Sequence, residues 1–100
     1  MITFAEIIRI ARERNSLFLR QVGAELEIDQ AIISKFERGE RKPTREQVLK
    51  FAKLYNLDKD ELLVAWLSDK VIYELQDESL ASEALKVAEA KIQYVLKSKA

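Results

Sequence analysis

The side chains best suited to recognition chemistry crowd into residues 30–45: Gln30, Ser34 and Lys35, then Arg38, Arg41, Lys42 and Arg45. What they offer is hydrogen bonding and positive charge. A glutamine can pair in bidentate fashion with an adenine edge, and a lysine can reach guanine or a phosphate. Ala31 and Ile32, between them, can give apolar contact to thymine methyls. Plainer roles compete: Gln30 as a first-turn helix residue, Ile32 packed inward or against a neighbouring subunit, Lys35 simply solvated. The four cations that follow surround Gly39 and Pro43 and are partly neutralised by Glu37 and Glu40.

Catalytic chemistry is poorly supplied. The chain has no histidine and no cysteine, which removes the commonest general base, the commonest transition-metal ligand and any thiolate. It has no Gly-rich phosphate loop, and its many carboxylates form no pair with an evident pocket. The expectation is a protein that is not an enzyme and needs no cofactor or metal.

Charge is distributed unevenly although the formal net charge is zero. Residues 1–29 carry four arginines against five acids. Residues 30–53 carry seven cations against three acids, a net of +4, and residues 54–90 carry three cations against nine acids. Three lysines close the chain. The positive excess coincides with the recognition chemistry, where a polyanion would lie.

The elements that must position these residues are helical. Two glycines, one proline and an apolar fraction of 48% in 100 residues suit one all-α domain with its own core. Phe4, Ile7, Ile8 and Ala11 give helix 1 over about 3–14, with Thr3 and Glu6 as a capping pair. Val22, Gly23 and Leu26 line one face of a second helix, Ile28 fills a corner, and Asp29 caps a third helix anchored by Ile33 and Phe36. Gly39 ends it. Thr44 with Gln47 opens helix 4, whose stripe is Val48, Phe51, Ala52 and Tyr55. Asn56 is its left-handed cap. Asp58 with Glu61 opens helix 5, followed by Leu62, Leu63, Trp66 and Leu67. Helical character continues through Val71, Ile72 and Leu75. After a break at 77–79, Ser79 opens a last helix to about Lys97. There Leu85, Ala88, Ile92 and Val95 alternate three- and four-residue steps, the spacing of a packing seam. That seam either folds back on its own domain or pairs with a second subunit. No apolar run approaches a membrane span, and the first residues lack signal-peptide character, so a soluble cytoplasmic protein is expected.

The pattern Val22-Gly23-x-x-Leu26-x-Ile28-x-x-x-x-Ile33-Ser34-x-Phe36-Glu37-x-Gly39, followed by Arg41-Lys42-Pro43-Thr44, resembles the phage-repressor-type helix-turn-helix family (the Xre/Cro/C1 group). The resemblance covers about Phe4 to Leu67. It implies a five-helix lambda-repressor-like DNA-binding domain at 1–67, and the chain adds a C-terminal helical extension at 68–100. Gly23 sits where the family has Ala or Gly because two helices nearly touch. Gln30, Ala31, Ile32, Ser34 and Lys35 match the face that reads DNA bases. Arg38, Arg41, Lys42 and Arg45 match a loop that follows the sugar–phosphate backbone, and Glu37 matches a structural residue that pairs with an Arg near helix 1 or in the loop.

Two positions depart from the family. Phe18 stands where a small hydroxyl residue caps helix 2, and Leu19 where a Gln often bonds a phosphate. Either Ser16 takes over as cap, or this surface is apolar because it packs on the C-terminal segment or a partner. Arg20 is the substitute phosphate contact. The function implied is a sequence-specific transcriptional regulator, a repressor among the possibilities, acting as a homodimer on two-fold-symmetric double-stranded DNA. The alternative is an antitoxin or other interaction module whose last helix binds a partner protein. Trp66, Leu85, Ala88, Ile92 and Val95 are the expected dimer or partner contacts. At this length no room is expected for a ligand-sensing domain, so control falls to dimerisation or a partner.

Overall fold

The computed structural model describes residues 2–99; the outermost residues of the two expected segments, Met1 and Ala100, lie outside it. Among the described residues the fold is all-helical, with no strand and six helices: α1 Phe4–Arg14, α2 Leu19–Leu26, α3 Gln30–Glu37, α4 Arg45–Leu54, α5 Lys59–Leu75 and α6 Ala81–Lys99. The chain divides into two compact units, residues 1–70 and 71–100.

The first unit is built around one apolar core. Each helix contributes the face its periodicity dictates: Phe4, Ile8 and Ala11 from α1, Val22 and Leu26 from α2, Ile33 and Phe36 from α3, Val48, Phe51 and Ala52 from α4, Leu62 and Trp66 from α5. Phe51 is the hub. Phe4 and Phe36 meet its ring edge-on at 5.9 and 6.2 Å, and Tyr55 stacks on it at 6.1 Å. Such offset and edge arrangements suit the quadrupoles of the rings.

Capping defines the ends. The Thr3 hydroxyl accepts the Glu6 N–H at 3.2 Å; the Glu6 side chain does not return the bond, so only half of the expected pair forms. The Asp69 carboxylate satisfies another donor at the helix start, accepting the Phe4 N–H at 2.9 Å. A carboxylate there satisfies an orphan donor and suits the helix dipole. Thr44 and Gln47 form the complete reciprocal box at the start of α4, and Asp58 accepts the Glu61 N–H at 2.9 Å. Asn56 adopts φ +53°, as its place after α4 requires.

Helix α2 starts differently from expectation. Ser16 does not cap it: that residue lies in the left-handed region at φ +54°. Phe18 occupies the N-cap position and, having no side-chain acceptor, satisfies no helix donor. Gln21 instead reaches back and accepts the Phe18 N–H at 2.7 Å.

In the second unit, α6 contains no buried residue. Its first helical residue is Ala81, one position later than a cap at Ser79 would give, with the Leu80 carbonyl accepting from the Ala84 N–H at 2.9 Å. No helix among the described residues is long and apolar enough to cross a membrane.

Candidate nucleic-acid interface

The geometry of α2 and α3 is set by one close approach. A Cβ built on Gly23 would lie 2.7 Å from the Ile28 carbonyl oxygen and 3.5 Å from the Gln30 nitrogen. Only a residue without a side chain lets the helices meet at this distance. The turn is completed by Glu27 in the left-handed conformation (φ +56°) and by the Ile28 N–H bonding the Gly23 carbonyl at 3.0 Å. Asp29 then caps α3, its carboxylate accepting the Ala31 N–H at 2.7 Å.

Helix α3 is held by Ile33, Phe36 and Glu37, all buried. Glu37 is a buried charge, and it is fully paired. Arg12 of α1 grips it with two bonds, Nε to Oε2 at 2.8 Å and Nη2 to Oε1 at 3.0 Å. Its third nitrogen, Nη1, donates to the Leu17 carbonyl at 3.0 Å. One guanidinium therefore ties α1, the start of α2 and the end of α3 together, using the fork geometry only arginine offers. The bonded carboxylate raises the Arg12 pKa above its ordinary value, against the opposing cost of burial. Of the partners the sequence left open for Glu37, the helix 1 arginine is the one used. Burial, with the Glu37 charge second, pushes the nearby Tyr55 phenol up to about 12; its hydroxyl is buried without a hydrogen-bond partner.

The opposite face of α3 is only partly as expected. Gln30, Ala31 and Lys35 are exposed. Ile32, expected to face outward, is half-buried and packs against the core, because at one residue before Ile33 it falls on the flank of the buried stripe. Ser34 is half-buried too, and its hydroxyl accepts a hydrogen bond from Arg38 Nη1. Arg38 also donates to Glu40 at 2.6 Å, an exposed pair. Pairs of that kind are worth about 0–1 kcal/mol, so a phosphate can compete for the guanidinium.

The basic loop is fixed at both ends. Gly39 takes φ +73° after α3. At the other end Trp66, buried in the core of this unit, donates its indole N–H to the Pro43 carbonyl at 2.9 Å. Of the two roles the sequence leaves for Trp66, a core residue or a dimer or partner contact, its burial in this unit fits the first, and it anchors the loop from inside. The Arg45 guanidinium lies 5.5 Å and the Lys70 ammonium 3.6 Å from its ring centroid. Arg41 and Lys42 are exposed between these anchors, and Arg45, the first residue of α4, is exposed just after them. Arg20, also exposed, sits over the Phe18 ring at 4.9 Å.

A family model described as a helix-turn-helix domain matches residues 3–65. The chain belongs to the helix-turn-helix domain family. The matched span includes α1 to α4 and the first turns of α5, so the pair α2–α3 is its helix-turn-helix. No curated protein matches the chain significantly. Among solved structures the chain is similar to a hypothetical protein from E. coli whose crystal structure is known. That likeness has a TM-score of 0.68 and covers 91% of this chain and 97% of the other at 21% identity. At that identity the likeness is one of fold, and it extends beyond the helix-turn-helix domain.

The other residues expected at an interface, Leu85, Ala88, Ile92 and Val95, are all exposed on α6. Two residues that matter for the geometry were not among the expected site residues. Arg12 had a signal, the unpaired acid at Glu37. Asp69 had none, because its role depends on where α5 runs past α1.

Proposed function

We propose that the protein is a sequence-specific DNA-binding transcriptional regulator of the phage-repressor type, reading the major groove with α3. The observation that carries this is the exposed face of Gln30, Ala31 and Lys35 on a helix whose other face is locked into the core. The cationic Arg38, Arg41, Lys42 and Arg45 follow it immediately. Gln30 and Lys35 are assigned to base edges, Ala31 and the exposed part of Ile32 to thymine methyls, and Ser34 to the same face through its bond with Arg38. Arg38, Arg41, Lys42, Arg45 and Arg20 are assigned to phosphates, which position the domain without reading sequence.

The regulator acts as a homodimer on a two-fold operator, its recognition helices about 34 Å apart. Support comes from α6, where Leu85, Ile92 and Val95 are 46, 58 and 47% exposed on one helix face. The DNA-reading part is accordingly the unit 1–70, three residues longer than the segment 1–67 expected, and the dimerising part is 71–100 in place of 68–100.

Gel retardation with a fragment from upstream of the gene, against a scrambled fragment at two salt concentrations, tests the reading. Selective, salt-sensitive retardation is the expected result, and equal weak binding to both refutes sequence-specific recognition at that locus. Light scattering tests the dimer: Leu85→Lys with Ile92→Lys should yield a monomer, and an unchanged mass would remove α6 from the interface.

A further inference from the structure

Leu19, the first residue of α2, is half-buried against the core and offers no polar side chain of its own. Beside it stands an uncommon arrangement. The Phe18 ring is 60% exposed, contributes little to the core, and carries the Arg20 guanidinium 4.9 Å from its centroid. Arg20 is three residues before Gly23 and four before Ala24, so it shares their face of α2. Gly23 is the residue that abuts the backbone of Gln30, the first residue of α3. Arg20 thus flanks the end of α3 from which base contacts are made, on the helix that crosses the DNA backbone in this docking geometry.

We infer that Phe18 is a positioning residue: its exposed ring holds the Arg20 guanidinium at the edge of the α2–α3 face, poised to bond a phosphate of duplex DNA. A free arginine stem loses considerable rotamer entropy when it is fixed on a ligand. Stacking on an aromatic face removes part of that loss before DNA arrives. The backbone of Phe18 is itself held, since Gln21 accepts its N–H and Arg12 holds the preceding carbonyl of Leu17. The inference rests on the DNA-binding reading above and deepens it.

The test uses the full chain and a labelled mixed-sequence duplex, because phosphate contacts are independent of sequence. Affinity is followed by fluorescence anisotropy from about 50 to 200 mM salt. Arg20→Ala should weaken binding about eightfold near 0.1 M salt and flatten the salt slope by about 0.9, the signature of one phosphate no longer neutralised. Phe18→Leu keeps apolar bulk but removes the π face. It should weaken binding about two- to fivefold with the slope unchanged, and Phe18→Trp should restore it. In the Arg20→Ala background Phe18→Leu should cost nothing more. Wild-type affinity in Phe18→Leu, or an equal loss in both backgrounds, overturns the inference while leaving DNA binding intact. Absence of salt-dependent binding by the unmutated chain overturns the DNA reading itself, before any variant is made. Should Phe18→Leu fail to fold, Phe18→Met, which also lacks a π face, takes its place in both backgrounds with the same expected and overturning results.

Discussion

Replacing Glu37 with Ala should be among the most damaging single changes possible in the helix-turn-helix domain, although Glu37 touches neither a base nor a phosphate in the proposed complex. The Glu37 side chain is 6% exposed and that of Arg12 18%. Removing the carboxylate deletes two charge-assisted hydrogen bonds and strands a largely buried guanidinium. Breaking a fully buried pair costs about 3–5 kcal/mol. Arg12 keeps some contact with solvent and its bond to the Leu17 carbonyl, so we expect about 2–3 kcal/mol. For a domain of this size that corresponds to a fall in Tm of roughly 10–20 °C, read by circular dichroism at 222 nm. Glu37→Gln should fall between the two, because its amide turns one NH2 donor toward an arginine donor. Arg12→Met with Glu37→Leu should recover part of the loss, since apolar replacement of a buried pair is often neutral or better; the Leu17 carbonyl would still lack its donor. A Glu37→Ala protein within about 0.5 kcal/mol of wild type would refute the reasoning, showing that the three-way tie through Arg12 does not hold the domain together.

Gln30→Ala with Lys35→Ala should leave the thermal transition in place and cost about 1–3 kcal/mol of operator binding for each base edge no longer read. Unchanged operator affinity in that pair would sink the assignment of α3. Arg41→Ala with Lys42→Ala should instead weaken all duplexes alike and flatten the salt slope. Gly23→Val should destabilise the domain by about 1–3 kcal/mol through overpacking against the Ile28 carbonyl, and a stability equal to wild type would mean that the two helices separate freely. Tyr55, whose pKa is pushed up to about 12, keeps its proton in the folded state after the unfolded chain, near 10, has released it. Stability should therefore be unaffected below pH 10 and fall by up to about 2–3 kcal/mol between pH 10 and 12; Tyr55→Phe should abolish that alkaline loss, and an identical pH profile in the variant would contradict the shift.

What the sequence made legible was whatever burial imposes at short range. Ile33 and Phe36, Val48 and Phe51, Phe4 and Ile8 repeat at helical spacing because each must reach the same core. Asp29, Thr44 and Asp58 announce helix starts because a helix end needs an acceptor for its free N–H groups. The missing side chain at Gly23 marks the close approach. Less legible was anything decided between helices distant in the chain. Ile32 sits next to a core residue, and only the angle of α3 against the rest decides that it is half-buried and not wholly outward. Trp66 carries an indole N–H that had to bond something on burial, yet nothing in the sequence points to the Pro43 carbonyl, which lies 23 positions earlier.

The hardest features to read were those where an unexpected polar group satisfies a backbone donor. Asp69 bonds the Phe4 N–H at the start of α1, a donor that the Thr3–Glu6 pair leaves unsatisfied, and Gln21 supports the backbone at Phe18 where no hydroxyl is present. Both bonds come from residues outside the expected caps, which leaves no periodic trace. Their consequences converge on the candidate interface. Arg12 fixes Leu17 and Glu37 together, Gln21 fixes Phe18, and Phe18 carries Arg20, so the outward cation at the edge of α2 is connected by side-chain bonds to the buried end of α3. The geometry of the candidate interface thus rests on an internal ion pair as well as on the exposed side chains themselves.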